Sequence, residues 1–237
     1  MATNYHPYLR KIGRDNQSYG DVLAFITGGF WIDPNHIVHG PNLAYRAIPE
    51  AATQPKIKPR SAILHTNAGG SSSKSLWAWI SRASVTGEPH FQIGYTGSEQ
   101  YMPLDVRADC NYSANRWLEA GQWFGAISFE TQDSGGASVE ITPWTTEQVR
   151  MMVNILTCIC VVYGVQCTQP GTWNASGIGH HSLFPFQGVL SKAWTNVRGK
   201  TCPGRARKAQ MDFIRAEVAN NLAAFGGVTG WKCGGTR

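Results

Sequence analysis

The stretch from Thr145 to Gly164 constrains this chain more than any other. Thr145 and Gln148 stand three residues apart, the spacing at which two side chains satisfy each other's backbone N–H groups at a helix start. Val149, Met152, Val153, Leu156, Ile159, Cys160 and Tyr163 then repeat with the 3.6-residue period. Gly164 follows as a residue free to adopt the left-handed turn that closes a helix. A helix with so wide an apolar stripe must bury it against a second layer.

Short extended runs supply that layer. Ser61 to His65 and Ala126 to Glu130 read as strands, each ending in a polar residue. His90 to Tyr95 and Gln100 to Leu104 alternate around Thr96-Gly97-Ser98, which predicts a β-hairpin. Gly177 to His181 reads as a short strand or turn. Helical stripes recur over Leu76 to Ala83, after the candidate N-caps Ser71 to Ser73, and again from Pro203 through Phe225. Strands alternating with helices predict an α/β fold with a single mixed central β-sheet flanked by helices. Residues 1–58 read as an N-terminal extension packed on or linked to the main domain. They carry a short helix over Asp21 to Trp31 and a Pro-rich, basic linker from Pro49 to Arg60. Residues 59–226 form the main domain and 227–237 a C-terminal tail.

The chain has 237 residues and a formal charge of +6, but its basic residues are scattered, so no nucleic-acid partner is expected. No secretory leader pattern opens it, and the longest apolar run, Ile155 to Val162, is too short to cross a bilayer. Neither secretion by a leader nor membrane insertion is expected, and the protein reads as made in the cytosol. The six cysteines, at 110, 158, 160, 167, 202 and 233, have no framework spacing and read as thiols. Cys158 and Cys160 fall inside the helical stripe as small core residues. His36 and His39 sit among Pro34, Gly40 and Pro41 and read as loop residues. His90 reads as a satisfied core histidine. Gly69 to Ser75 lacks the glycine directly before Lys74 that a phosphate loop requires.

The chemistry gathers around Gly199-Lys200-Thr201-Cys202-Pro203-Gly204. A thiolate at Cys202 needs partners, and the chain offers His65 and the pair His180-His181. Two histidines and one cysteine is the ligand count of a catalytic zinc site with an open position. Adjacent strand residues face opposite ways, so one of the two neighbours reaches such an ion.

Five pieces in order resemble the zinc-dependent N-acetylmuramoyl-L-alanine amidases of type 2, whose fold is shared by peptidoglycan-recognition proteins and many phage endolysins. They are Ile63-Leu64-His65, His90-Phe91-Gln92-Ile93, Ala126 to Glu130, Gly179-His180, and Lys200 to Gly204. The resemblance implies one zinc ion held by His65, His180 and Cys202, with Glu130 as general base and Lys200 stabilising the oxyanion. Gly-His followed five residues later by Pro185 favours His180 over His181. It further implies a monomer that hydrolyses the bond between N-acetylmuramic acid and L-alanine in bacterial peptidoglycan. Without a leader, such a protein fits a phage endolysin reaching the wall through a holin-type pore. A non-catalytic peptidoglycan-binding module of the same fold is the alternative. The chain departs from the pattern at Pro89, where some members carry Tyr, and at Asp109-Cys110-Asn111-Tyr112, where Trp-His is usual.

Overall fold

The computed structural model describes residues 19–229, apart from 68, 70–72, 83, 136–138 and 189–191. Its elements run α1 (Tyr19–Ile26), β1 (Trp31–Ile32), β2 (Val38–His39), β3 (Leu43–Tyr45), β4 (Lys58–Leu64), α2 (Ser73–Ile80), β5 (Phe91–Ile93), β6 (Ser98–Gln100), β7 (Trp117–Glu119), β8 (Gln122–Thr131), α3 (Thr146–Tyr163), β9 (Gly177–His180), α4 (Arg205–Ala209) and α5 (Met211–Thr229). The central sheet has seven strands in the order β3-β6-β5-β8-β4-β9, and β7 pairs along the first part of β8. β5, β8, β4 and β9 run parallel, whereas β5 and β6 form the expected antiparallel hairpin. This is the mixed α/β sheet that the alternation of strands and helices predicts.

α3 forms as its sequence dictates. Thr145 and Gln148 make the reciprocal capping box, and Gly164 closes the helix at φ 71°. Parallel strands leave both faces of a sheet to be covered. Ala62, Leu64, Phe91, Ile93, Ile127, Phe129 and Ile178 face α1, α3 and α5 in one apolar layer. Leu156 and Ile159 are fully buried there, and each burial contributes about 1.5–3 kcal/mol. Cys158 and Cys160 lie in the same layer as small core residues.

The opposite sheet face carries Ile63 and Ala126, packed with Ala114, Trp117 and Trp194. Gly179 makes that packing feasible, because a Cβ there would sit 2.6 Å from the Trp194 ring. α2 joins a third cluster with Ile48, Tyr101 and Met102. That cluster and the Trp194 cluster flank the groove described below.

Some boundaries differ from expectation. Ser71 and Ser72, named as N-caps, lie outside the described residues. The second hairpin strand starts at Ser98 rather than Gln100, since its partner Ile93 pairs with Ser98. Pro203 stands before the helical region, which begins after Gly204 and is interrupted at Gln210. The region before residue 59 also gives β3 to the sheet edge, parallel to β6, and buries Val22, Leu23 and Phe30 in the core. Among the described residues no helix is long and apolar enough to cross a membrane.

Candidate active site

Three parallel strands end together. Leu64 of β4 pairs with Phe129 of β8 and His180 of β9, so the residues just beyond these positions converge. His65 continues β4, its N–H donating to the Phe129 carbonyl at 2.7 Å. His181 continues β9, its N–H donating to the Leu64 carbonyl at 3.1 Å. Glu130 is the penultimate residue of β8.

Strand parity decides which side chains meet. Leu64, Phe129 and Ile178 point into the helical layer. Residues one position away point to the other face, which therefore receives His65, Glu130 and His181. His180 shares the parity of Ile178. Its positive neighbours are Lys208 and Arg215 of α4 and α5, and its Nδ1 lies 3.2 Å from the Ser182 hydroxyl. The structure thus places His181, rather than the expected His180, beside His65, with ring centroids 4.0 Å apart. The ligand atoms of His65, His181 and Cys202 all lie within 4.8 Å of one another.

The cluster opens into a groove of about 740 Å³. Lys200 and Asn67 line it, with Trp79 and Tyr112 among its aromatic walls, whereas Trp117 packs in the core instead. Lys200 sets its charge against His65, Glu130, His181 and Cys202.

Supporting contacts hold the cluster in place. His65 Nε2 lies 2.8 Å from Asn111 Oδ1. An amide oxygen accepts, so His65 carries its proton on Nε2 and presents a bare Nδ1. Asn111 Nδ2 in turn donates to Ser128 Oγ. Thr131 Oγ1 donates to the His65 carbonyl at 2.7 Å and accepts from Trp144 Nε1 at 2.7 Å. Cys202 Sγ accepts from the Thr66 N–H at 3.3 Å. Thr66 Oγ1 donates to the buried Asp133, and buried Arg207 donates to the carbonyls of Val139 and Pro203, bracing the turn after Cys202. Gly204 suits that turn, with φ 99° and a Cβ position 2.2 Å from the Val139 carbonyl oxygen.

His90 is satisfied on both ring nitrogens, by the Val106 carbonyl and the Ser128 N–H, as expected of a core histidine. His39 Nε2 meets Asp33 and His36 Nδ1 meets the Tyr163 hydroxyl, both away from the groove. Asn111, Thr131, Asp133 and Arg207 were not legible as site residues. Asn111 and Asp133 sit in loops, Thr131 at a strand end and Arg207 in the five-residue helix α4, where no periodicity marks them.

The donor set fits a zinc ion. His181 Nδ1 and Glu130 Oε2 are buried with no hydrogen-bond partner, a costly state unless another group engages them. Two imidazoles and a thiolate match the softness and ligand count of a zinc centre with an open position. Tetrahedral zinc separates its ligand atoms by about 3.3–3.8 Å, so the three need close by about 1.5 Å at most.

Burial keeps the imidazoles neutral, the form that binds a metal, while it favours the protonated forms of Glu130 and Cys202 in the metal-free protein. Burial pushes the Glu130 carboxyl up to about 8, against the pull of Lys200. Burial pushes the Cys202 thiol up to about 12 and His65 down to about 3. His181 is pushed down too, by burial first and by the positive groups around it, and burial takes His90 down to about 4.

These depressed histidines give the metal-free protein an acid-sensitive stability. Their folded-state pKa values lie below the unfolded value of 6.5, so their contribution is complete above that pH and lost as pH falls toward 4. Each proton taken up on unfolding costs about 1.4 kcal/mol per pH unit. Glu130, raised from 4.5 to about 8, and Glu88, raised to about 7, act oppositely above about 4.5, but they involve two protons against the four of His65, His90, His180 and His181. Thermal melts in chelator at pH 7 and pH 5 should show a clear fall in Tm at pH 5. An unchanged or higher Tm would contradict these assignments.

No protein-family profile and no curated protein sequence matches the chain. Solved structures do. A mutant of PlyL aligns at TM-score 0.52 and 14% identity, covering 76% of this chain and 99% of that one. The PlyG catalytic domain aligns at TM-score 0.51 and 15% identity, covering 76% and 95%. The Staphylococcus aureus hydrolase AmiA, solved with its ligand, aligns at 0.51 and 12%, covering 89% and 95%. The fold is type-2 amidase-like.

Proposed function

We propose that the protein is a zinc-dependent N-acetylmuramoyl-L-alanine amidase acting on bacterial peptidoglycan, an endolysin-type enzyme that works as a monomer. One observation carries this reading. His65, His181 and Cys202 meet at the ends of parallel strands, beside a buried carboxylate and a lysine, in an open groove. Likeness in fold to hydrolase and catalytic-domain structures supports it. Release through a holin-type pore is part of the same proposal.

His65 Nδ1, a nitrogen of His181 and the Cys202 thiolate would hold the zinc. A bound zinc would supply Lewis acidity there, lowering the pKa of water toward ~7 and polarising the scissile carbonyl. Glu130 takes the proton of the attacking water on its carboxylate and passes it to the leaving amine of L-alanine. Lys200 places an ammonium where the carbonyl oxygen gains negative charge, an effect of ~3 kcal/mol. Asn111 keeps His65 in the tautomer that leaves Nδ1 bare. The exposed faces of Trp79 and Tyr112 offer apolar walls for a sugar or a stem peptide.

Turbidity of purified walls, with zinc-loaded and chelated protein, tests the reading, together with mass spectrometry of the released fragments. Loss of turbidity that stops on chelation, with free N-terminal L-alanine in the products, is the expected result. Binding without lysis by zinc-loaded protein would make it a wall-binding module instead. Cleavage elsewhere would reassign the bond.

A further inference from the structure

Where the resembling amidases carry Trp-His, this chain carries Asp109-Cys110-Asn111-Tyr112, and Cys110 lines the groove. The ligand atoms of His65, Cys110 and Glu130 lie within 4.8 Å of one another, a second triangle that shares one vertex with the first. His65 Nε2 is engaged by Asn111, so both triangles draw on the same Nδ1 lone pair. That nitrogen stands 3.6 Å from Glu130 Oε1, while Glu130 Oε2 is buried without a partner.

We infer that Cys110 and Glu130 form with His65 an alternative cation position, occupied in place of the His65–His181–Cys202 position rather than alongside it. A lone pair serves one ion at a time, so the two positions exclude each other. Imidazole, thiolate and carboxylate together suit a borderline-soft divalent ion such as zinc or cobalt. An ion at this second position engages the carboxylate that the proposed mechanism needs free, so it is an inactive arrangement. That consequence, unlike the site itself, rests on the amidase reading. His181 and Cys202 supply a second imidazole and a thiolate against one carboxylate and one thiolate, and they leave Glu130 free. Cys110 therefore provides a reserve position reached when the first is weakened.

Cobalt titration tests this without reference to activity, because a thiolate bound to Co²⁺ gives an intense near-ultraviolet charge-transfer band. Wild-type protein should bind one Co²⁺ with one thiolate's worth of absorption. Cys202→Ser should still bind one Co²⁺ more weakly and keep a thiolate band of similar size, now from Cys110. The band should vanish in Cys202→Ser/Cys110→Ser, and Co²⁺ affinity should drop further in Cys202→Ser/Glu130→Gln. Cys110→Ser alone should leave the wild-type band intact. No band in Cys202→Ser, or a band that survives in the double cysteine variant, would overturn the inference. Two Co²⁺ ions bound at once in the wild type would overturn the exclusion. Failure to lyse walls would refute the amidase reading but would leave these spectra unaffected.

Discussion

Replacing His181 with alanine should abolish wall hydrolysis and weaken zinc uptake beyond the 10–100-fold that loss of a supporting partner typically costs. His180→Ala should leave both close to the parent's. The contrast follows from parity. His181 leaves the β9 line on the same face as His65 and Glu130, with its Nδ1 buried and unpartnered. His180 shares the side of Ile178 and has Ser182 as a polar neighbour. Zinc titration calorimetry and turbidity on the two variants read the difference. Equal losses, or a larger loss in His180→Ala, would return the ligand role to His180 and break the geometric argument.

Glu130→Gln should keep the fold and one bound zinc while slowing hydrolysis by ~10²-fold or more. The amide preserves the shape of the side chain but cannot take up the proton of an attacking water. Glu130 is well placed for that exchange, since burial raises its carboxyl while Lys200 lowers it, so both protonation states are accessible near neutral pH. Turnover of a soluble muropeptide, with zinc content measured on the same sample, separates loss of the base from loss of the metal. Near-normal turnover would move the base to another group. Loss of zinc together with activity would make Glu130 a support for the centre rather than its base.

Much of this architecture could be read from residue order. Thr145, Gln148 and Gly164 bounded α3 because capping is local chemistry, independent of what the helix packs against. His65 and Glu130 were legible because each closes an apolar run, and Cys202 because Pro203 and Gly204 turn the chain straight after it. His180 and His181 were harder to separate. Gly177 and Gly179 carry no side chains to mark a face, so Ile178 alone set the parity, and a local Gly-His-to-Pro spacing outweighed it. Cys110 and Asn111 lie beside a short 3-10 turn with no period to place them. β3 is three residues long at a sheet edge, too short for an alternating pattern to register.

The sheet order has a consequence for how the protein comes to be active. β4 is the hub of the site, yet both its neighbours, β8 and β9, are strands made much later in the chain, and Cys202 follows later still. Pairings of such high sequence separation carry a large loop-closure cost and form slowly. A nascent or partly folded chain therefore holds its candidate ligands far apart. The cluster of His65, His181 and Cys202 is assembled when the last long-range strand docks, so, on the proposed reading, metal uptake would report completed folding and a half-made molecule would carry no hydrolytic site.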